Sequence, residues 1–349
     1  MPPPTPLRLD LDGDALVSNW RWLKSRGGTA ACGAAVKADG YGLGARQVVD
    51  RLTTAGCRDF FVATWAEAEA LMPLAPGAAM SVLHGVRSQD METALASPAR
   101  PVLNTAEQVV RWKPTGRPCD VMVDTGINRL GFSAEDLQSE LLDGLEIETL
   151  MSHLACADEC GNAQNEKQRA SFAGLAAGVA AKRYSLANSG GICLGTDYAF
   201  DLTRPGLALY GGVPHPGDET QQAALQQVAH IAAQVLQVRD VPAGGVVGYG
   251  ATYTAQAAER VAILNIGYAD GYLRGFSNAL GAVSFEGQLL DLAGRVSMDL
   301  IAVRIGGARV KEGDWLDVDY DLPEAAARSS LSQYELLTGL GDRFERRWA

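Results

Sequence analysis

No stretch of the sequence approaches the ~18–20 consecutive apolar residues of a membrane-spanning helix, although 47% of its residues are hydrophobic. The N-terminal segment MPPPTPLRLD lacks the apolar core of a signal peptide. Positive charge is in deficit, with 30 Lys and Arg against 41 Asp and Glu and a formal net charge of −11. That balance argues against nucleic acid or an anionic membrane as a partner. Six cysteines, Cys32, Cys57, Cys119, Cys156, Cys160 and Cys193, are scattered without a CxxC pair. In a chain this long they read as reduced thiols, and with the missing signal segment they place the expected protein in the cytoplasm. The four histidines, His84, His153, His215 and His230, are too dispersed to indicate a metal site. There is no internal repeat and no low-complexity segment. What is left is a 349-residue chain, 20% charged, able to build one large domain or two.

Short apolar runs recur along the first two thirds of the chain. They predict strands at 33–38, 59–65, 79–85, 101–104, 119–125, 147–154, 184–189 and 207–211. Between them, GARQVVDRLTTAG, WAEAEALM, TAEQVVRW, SAEDLQSELL and NEKQRASFAGLAAGVAAK read as helices. NTAEQ and FSAED set Thr or Ser ahead of acidic residues, as a helix start requires. Eight strands alternating with helices predict an α/β fold, a (β/α)8 TIM-type barrel. An open doubly wound sheet is the alternative, but no GxGxxG loop follows a strand. Near residue 229 the pattern becomes strand-rich, with glycine turns in HIAAQVLQVRDV, RVAILNIGYADG, AVSFEGQLLDLAGRVSMDLIAVRIGG and DWLDVDYD. Only LSQYELLTGL near the end looks helical there. The expected division is a barrel over 1–228 and a mainly β domain over 229–349.

In a barrel of this kind the site forms where strands run into loops at the C-terminal face. The expected strand ends carry Lys37 and then Tyr41, Asp124 and Arg129 in VDTGINRLGF, His153 in SHLACADE, Asn188 and Ser189 in ANSGG, and Arg204 and Gly206 in RPGLALYGG. Each has a plain structural reading. A strand-end lysine is usually solvated, glycines make turns, a buried histidine is usually satisfied, and an arginine pairs with an acid. Their convergence on one opening favours a site. A lysine, two arginines and a glycine-bounded serine suit an anion, and Ser189 with the N–H groups near Gly190, Gly191, Gly206 and Leu207 forms a candidate phosphate cradle. A crowded lysine loses its charge readily and can form a Schiff base. Lysine plus phosphate cradle points to pyridoxal 5'-phosphate with Lys37 as the covalent anchor.

These motifs, AVKADGYGLG, VDTGINRLGF, SHLACADE, ANSGG, RPGLALYGG, GYGATYT, IGYADGY and GRVSMD, resemble those of the alanine racemase family in order and approximate spacing, from residue 7 to about 344. The resemblance implies a pyridoxal-phosphate enzyme of barrel-plus-β-domain fold that interconverts L- and D-alanine and supplies D-alanine for peptidoglycan. It implies that Lys37 carries the cofactor as an aldimine and is one of two bases. Tyr249, from the partner subunit of a head-to-tail homodimer, is the other. Two bases on opposite faces of a planar intermediate racemise a carbon most simply. A phenol, with an ordinary pKa near 10, needs cationic neighbours to act as a base. By the same resemblance, Arg204 bonds the pyridine nitrogen, and His153 and Arg204 form part of the cationic setting. Tyr41, Asn188, Ser189, Gly206 and Leu207 belong to the cofactor pocket. Arg129 and the main-chain N–H of Met298 bind the substrate carboxylate, Tyr268 narrows the entrance, and Asp158, Arg274 and Arg295 line the entrance corridor.

The chain departs from the family pattern at three positions. Met122 stands where many members carry a lysine that becomes carbamylated and orients the arginine, so Arg129 needs another support. Asp342 stands where some members carry a tyrosine beside the catalytic one. Leu43 replaces a frequent histidine. Other readings are a broader racemase acting on serine, a pyridoxal-phosphate carrier with little catalysis, and a decarboxylase of related fold. Broad racemases are often exported, carriers lack the β domain, and the decarboxylases use a cysteine-bearing site.

Overall fold

The computed structural model describes residues 5–137 and 139–349. Two compact units emerge, one of Leu16–Gln226 and one of Gln227–Ala349 together with the N-terminal residues up to Ala15.

The first strand, β1 (Leu7–Leu11), has the period-2 pattern of a half-buried strand, with Leu7, Leu9 and Leu11 inward. The sequence reading did not count it, and it belongs to the second unit. The barrel unit begins with β2 (Ala31–Cys32) and β3 (Ala34–Ala35), followed by β4 (Asp59–Val62), β5 (Ala79–Val82), β6 (Arg100–Leu103), β7 (Cys119–Met122), β8 (Ile147–Met151), β9 (Arg183–Ser185) and β10 (Leu202–Thr203). From β3 to β9 every neighbour pairs in parallel in chain order. β10 pairs with β2, and Asp201 N donates to Tyr184 O (2.9 Å), so the eighth strand closes the barrel between the seventh and the first. Strands buried on both faces read as continuous apolar runs such as Phe60–Val62, which is why they stand out in the sequence. Phe61, Val102, Met122, Met151 and Leu202, from five strands, pack together in the interior.

The eighth strand was expected at 207–211 and lies instead at Leu202–Thr203. Leu207–Tyr210 is a single turn of 3-10 helix, wholly buried, closed by Gly211 in the left-handed region (φ 90). A short buried apolar run fits strand and helix equally well by periodicity. The first strand also ends earlier than expected, at Ala35, because the chain turns at Lys37. Helices follow at Ala45–Ala55, Trp65–Ala70, Ala106–Trp112 and Ala163–Ala176. Thr64 and Thr105 cap two of them. Ser133 caps only a turn, the following helix being Ser139–Leu142. Gln138, within that expected helix, lies outside the described residues, as do the first four residues of the N-terminal segment.

The second unit is mainly β. β1 lies between β11 (Ala229–Val241) and β19 (Glu345–Trp348), antiparallel to the first and parallel to the second. β11 pairs further with β14 (Glu259–Leu264) and β18 (Trp315–Val318). β12 (Val246–Val247) and β13 (Tyr253–Thr254) form a small hairpin. β15 (Ala282–Phe285) and β16 (Gln288–Asp291) form another, turned by Glu286 and Gly287, both at positive φ. β17 (Ile301–Arg304) pairs with β14. Tyr272, Phe276 and Tyr320 stack in its core with ring centroids 4.4–6.3 Å apart. The helix Leu322–Ser329 was missed in the sequence despite Asp321 as cap and Pro323 in its first turn.

Candidate active site

The barrel mouth is built on an unusual turn. Val36 N still donates to Phe61 O (2.8 Å), continuing the ladder, and then the chain winds left-handed. Ala38, Asp39, Gly40 and Tyr41 all have φ between 52° and 63°. A left-handed conformation costs a non-glycine residue on the order of 1–2 kcal/mol, and three of the four pay it. Asp39 Oδ1 accepts from Ala45 N (2.8 Å) and Gly44 N donates to Asp39 O (2.8 Å), which ties the turn to the helix that follows. Strain held this way marks functional segments, and the turn starts at Lys37. The Lys37 amine is pushed below its ordinary value, by burial first and then by the positive charge of Arg129, while Glu67 works the other way.

Three further strand ends bring polar groups to the same unit. His153 is pushed down to about 3 by burial and by the charges of Arg204, Arg129 and Lys37, so it is neutral at physiological pH. Arg204 is 7% exposed, and its guanidinium donates to Ser185 Oγ and Ser152 O rather than to a carboxylate. Burial lowers it to about 10, with the charge of Asp120 acting in opposition. It therefore stays a buried cation.

The segment after β9 forms the cradle. Asn188 Oδ1 accepts from Gly191 N (2.9 Å), opening the helix Ser189–Leu194. Ser189 Oγ, buried, accepts from Gly206 N (3.0 Å) and Ala208 N (3.2 Å). Tyr41 reaches the same point. A Cβ on Gly206 would stand 2.1 Å from the Tyr41 hydroxyl oxygen. Glycine is required there by close approach. A Cβ on Gly190 would lie 2.6 Å from Ala157 O, so the cradle packs directly on the loop after His153.

Arg129 sits on an exposed loop that Asp124 holds by its backbone. Asp124 accepts from Gly126 N (2.7 Å), Ile127 N (3.0 Å) and Arg129 N (2.9 Å). Burial raises its carboxyl, but these bonds outweigh it and bring it below the usual range. Met122 lies inward in the apolar cluster, its Cγ 2.9 Å from a Cβ placed on Gly131. The guanidinium of Arg129 therefore gains no support from that side chain, and the loop is positioned by main-chain bonds.

The mainly β unit carries the remaining expected residues. Tyr249 begins a tight turn between Gly248 and Gly250, both at positive φ, and is 68% exposed. Arg295 lies against that turn, its Nη1 3.3 Å from a Cβ placed on Gly250. Tyr268 opens the turn Tyr268–Asp270 and stacks under Arg274 at 5.3 Å. Met298 is 53% exposed, and its carbonyl accepts from Ala269 N (3.0 Å). Asp342 is exposed. Its neighbour Arg343, overlooked in the sequence, binds both oxygens of the fully buried Asp270 (2.7 and 2.8 Å) and Asp299 (2.6 Å). That arginine ties the Tyr268 turn to the Met298 loop. Asp158 lies exposed in the barrel unit. Glu67 was also overlooked. Its carboxylate accepts from Ala38 N (2.8 Å), Ala63 N (2.6 Å) and Thr64 N (3.1 Å). Its T-x-x-E spacing from Thr64 is a capping-box pattern, which carries no sign of the reach to Ala38.

The barrel-unit donor set fits pyridoxal phosphate. A half-buried amine of lowered basicity, a buried guanidinium without a carboxylate, a neutral imidazole and a hydroxyl-and-amide cradle that a Cβ would fill are the groups such a molecule needs.

Residues 11–214 match the family model of the alanine racemase N-terminal domain, and residues 228–348 that of its C-terminal domain. A catabolic alanine racemase of Agrobacterium fabrum is 40% identical over 97% of this chain and 91% of its own length. The biosynthetic alanine racemase of the same organism is 38% identical over 98% and 94%. A crystal structure of alanine racemase from Bartonella henselae, with covalently bound pyridoxal phosphate, superposes with a TM-score of 0.90 at 35% identity, covering 99% of this chain and all of the other.

Proposed function

Because this chain belongs to the alanine racemase family, we propose that it interconverts L- and D-alanine using pyridoxal phosphate anchored on Lys37. The observation that carries this reading is the gathering of Lys37, His153, Arg204 and the Ser189–Gly206 cradle on the strand ends of one barrel. When bound, pyridoxal phosphate supplies the electron sink that acidifies the substrate's Cα–H. The chain's own residues do the rest. Ser189, Tyr41 and the N–H groups of Gly206 and Leu207 hold the phosphate, with Asn188 fixing the backbone beneath them. Arg204 donates to the ring nitrogen. Its proton is held too tightly to be passed on, which limits how strongly the ring draws electrons and so favours simple proton return. His153, kept neutral by burial and by its cationic neighbours, does not add to the cationic setting expected of it, which leaves that part to Arg204. Arg129 orients the substrate carboxylate, and the Met298 N–H and Tyr268 of a second copy of the chain complete the approach.

Lys37 Nζ takes or returns the proton on one face of Cα. Its lowered basicity supports this role, because more of the amine is neutral at physiological pH. Tyr249 from a second copy of the chain serves the other face. The exposure of Tyr249 and its mounting on a two-glycine turn beside Arg295 support presentation to a partner. The active form in this reading is a cytoplasmic homodimer that supplies D-alanine for peptidoglycan, with the Leu16–Gln226 unit holding the cofactor and the mainly β unit lending Tyr249.

The test is incubation of the cofactor-loaded protein with L-alanine in deuterated water, following chirality and Cα deuterium together. Racemisation with deuterium incorporation is the expected result. Deuterium uptake with retained chirality would refute the two-base assignment, and no exchange at all would refute the activity.

A further inference from the structure

Three residues of the Lys37 turn are held left-handed against their preference, so its own backbone bonds need support from the surroundings. Asp39 ties it to the helix that follows, and a side chain from the next strand end holds it from the other side. Glu67 lies on the helix after the second barrel strand, Trp65–Ala70. Its Oε1 accepts from Ala38 N, immediately beyond Lys37, and its Oε2 accepts from Ala63 N and Thr64 N, immediately beyond β4. These N–H groups lie where the parallel ladder has ended and strand partners are no longer available. On the other side of Lys37, Val36 N is fixed by Phe61 O. The lysine is therefore clamped between a ladder bond and a carboxylate.

Resting on the functional reading above, we propose that Glu67 is a positioning residue for Lys37, strapping the ends of the first two barrel strands together so that the lysine leaves the strand in one direction. The carboxylate also brings a negative charge to an amine that Arg129 and His153 face as well. It thus acts on both the direction and the protonation of Lys37 without touching substrate.

Two substitutions separate reach from charge. Glu67→Asp keeps the charge and shortens the side chain by one carbon–carbon bond, about 1.5 Å, so Ala38 is released. Glu67→Gln keeps the length, but its amide has one accepting oxygen, so it cannot serve Ala38 and the Ala63–Thr64 pair together. Full-length protein stripped of cofactor would be titrated with pyridoxal phosphate, and the adduct trapped with borohydride across a pH series. Both variants should retain pyridoxal phosphate roughly tenfold or more weakly, the scale of one lost charged hydrogen bond. Only Glu67→Gln should move the pH midpoint of trapping downward, because only it removes the charge that favours protonated Lys37. Thr64→Ala, which deletes the hydroxyl cap on Glu67 N (3.3 Å) but leaves the strap, should lower Tm without weakening retention. Wild-type retention in both Glu67 variants, or an equal loss in Thr64→Ala, would overturn the proposal. Wild-type protein that takes up no pyridoxal phosphate would instead overturn the functional reading beneath it.

Discussion

Replacing Gly206 by alanine tests the cradle most sharply. The added methyl would lie 2.1 Å from the Tyr41 hydroxyl oxygen and 2.8 Å from its Cζ. No Cβ sits that close to a heavy atom, so one side has to move. Gly206 N is tied to Ser189 Oγ, which resists movement of the backbone. Tyr41 is the part displaced, and it is not free to swing. Its ring stacks on Tyr210 at 4.7 Å, and Tyr210, fully buried, is pinned by its hydroxyl to Ala35 O (2.9 Å). Overpacking of this kind costs about 1–3 kcal/mol, seen as a Tm lower by a few degrees. The displaced hydroxyl can no longer serve the phosphate. A hydrogen bond to a charged group contributes about 1.5–3 kcal/mol, so affinity for pyridoxal phosphate should fall by roughly 10- to 100-fold. Tyr41→Phe should weaken binding similarly while leaving the backbone alone. In the double variant the contact at 2.1 Å no longer exists, so the two affinity losses should overlap instead of multiplying. Fluorescence titration and thermal melts of the four proteins complete the cycle. Wild-type affinity in Gly206→Ala, or fully multiplicative losses, would refute the reasoning.

Other outcomes follow from the same geometry. Lys37→Ala should abolish the borohydride-trapped adduct while the protein keeps its cooperative melt; a retained adduct would take Lys37 out of the anchoring role. Asp124, held below the usual carboxylate range, lends stability to the Arg129 loop above the unfolded-state value near 4 and loses it as pH falls through the folded value. Amide exchange at residues 125–131 should therefore quicken in acid, and Asp124→Asn should exchange fast already at pH 7. Arg343→Gln leaves Asp270 buried and unpaired, at a cost on the order of 3 kcal/mol by chemical denaturation. Adding Asp270→Asn should recover much of that loss, and strict additivity would argue against the pair.

The apolar runs of the barrel strands were legible because parallel strands are buried on both faces and need continuous hydrophobicity. Leu202–Thr203 was not, because two buried residues carry no period, while the longer run Leu207–Tyr210 imitated a strand and folded as a helical turn. β1 escaped for a different reason. Its alternation is plain, but its partners lie more than two hundred residues away in β11 and β19. Lys37, His153, Ser189 and Arg204 were visible because the fold itself says where strand ends gather, and the glycine motifs mark close approach. Glu67 and Arg343 were not, because each works by bonding backbone or buried carboxylate in segments remote in sequence.

The sequence alone determined the alternation of strand and helix, the change to β structure near residue 229, and the set of residue types suited to an anionic cofactor on a lysine. Those rest on local pattern and composition, which each segment carries by itself. Tertiary structure alone decided that Lys37 begins a left-handed turn, that Glu67 clamps it, that Arg204 is a buried cation without a carboxylate, and that Gly206 must be glycine because Tyr41 already fills the space. Burial and contact between distant segments exist only once the chain has closed on itself, and they are what convert a list of side chains into lowered basicity and a shaped cradle.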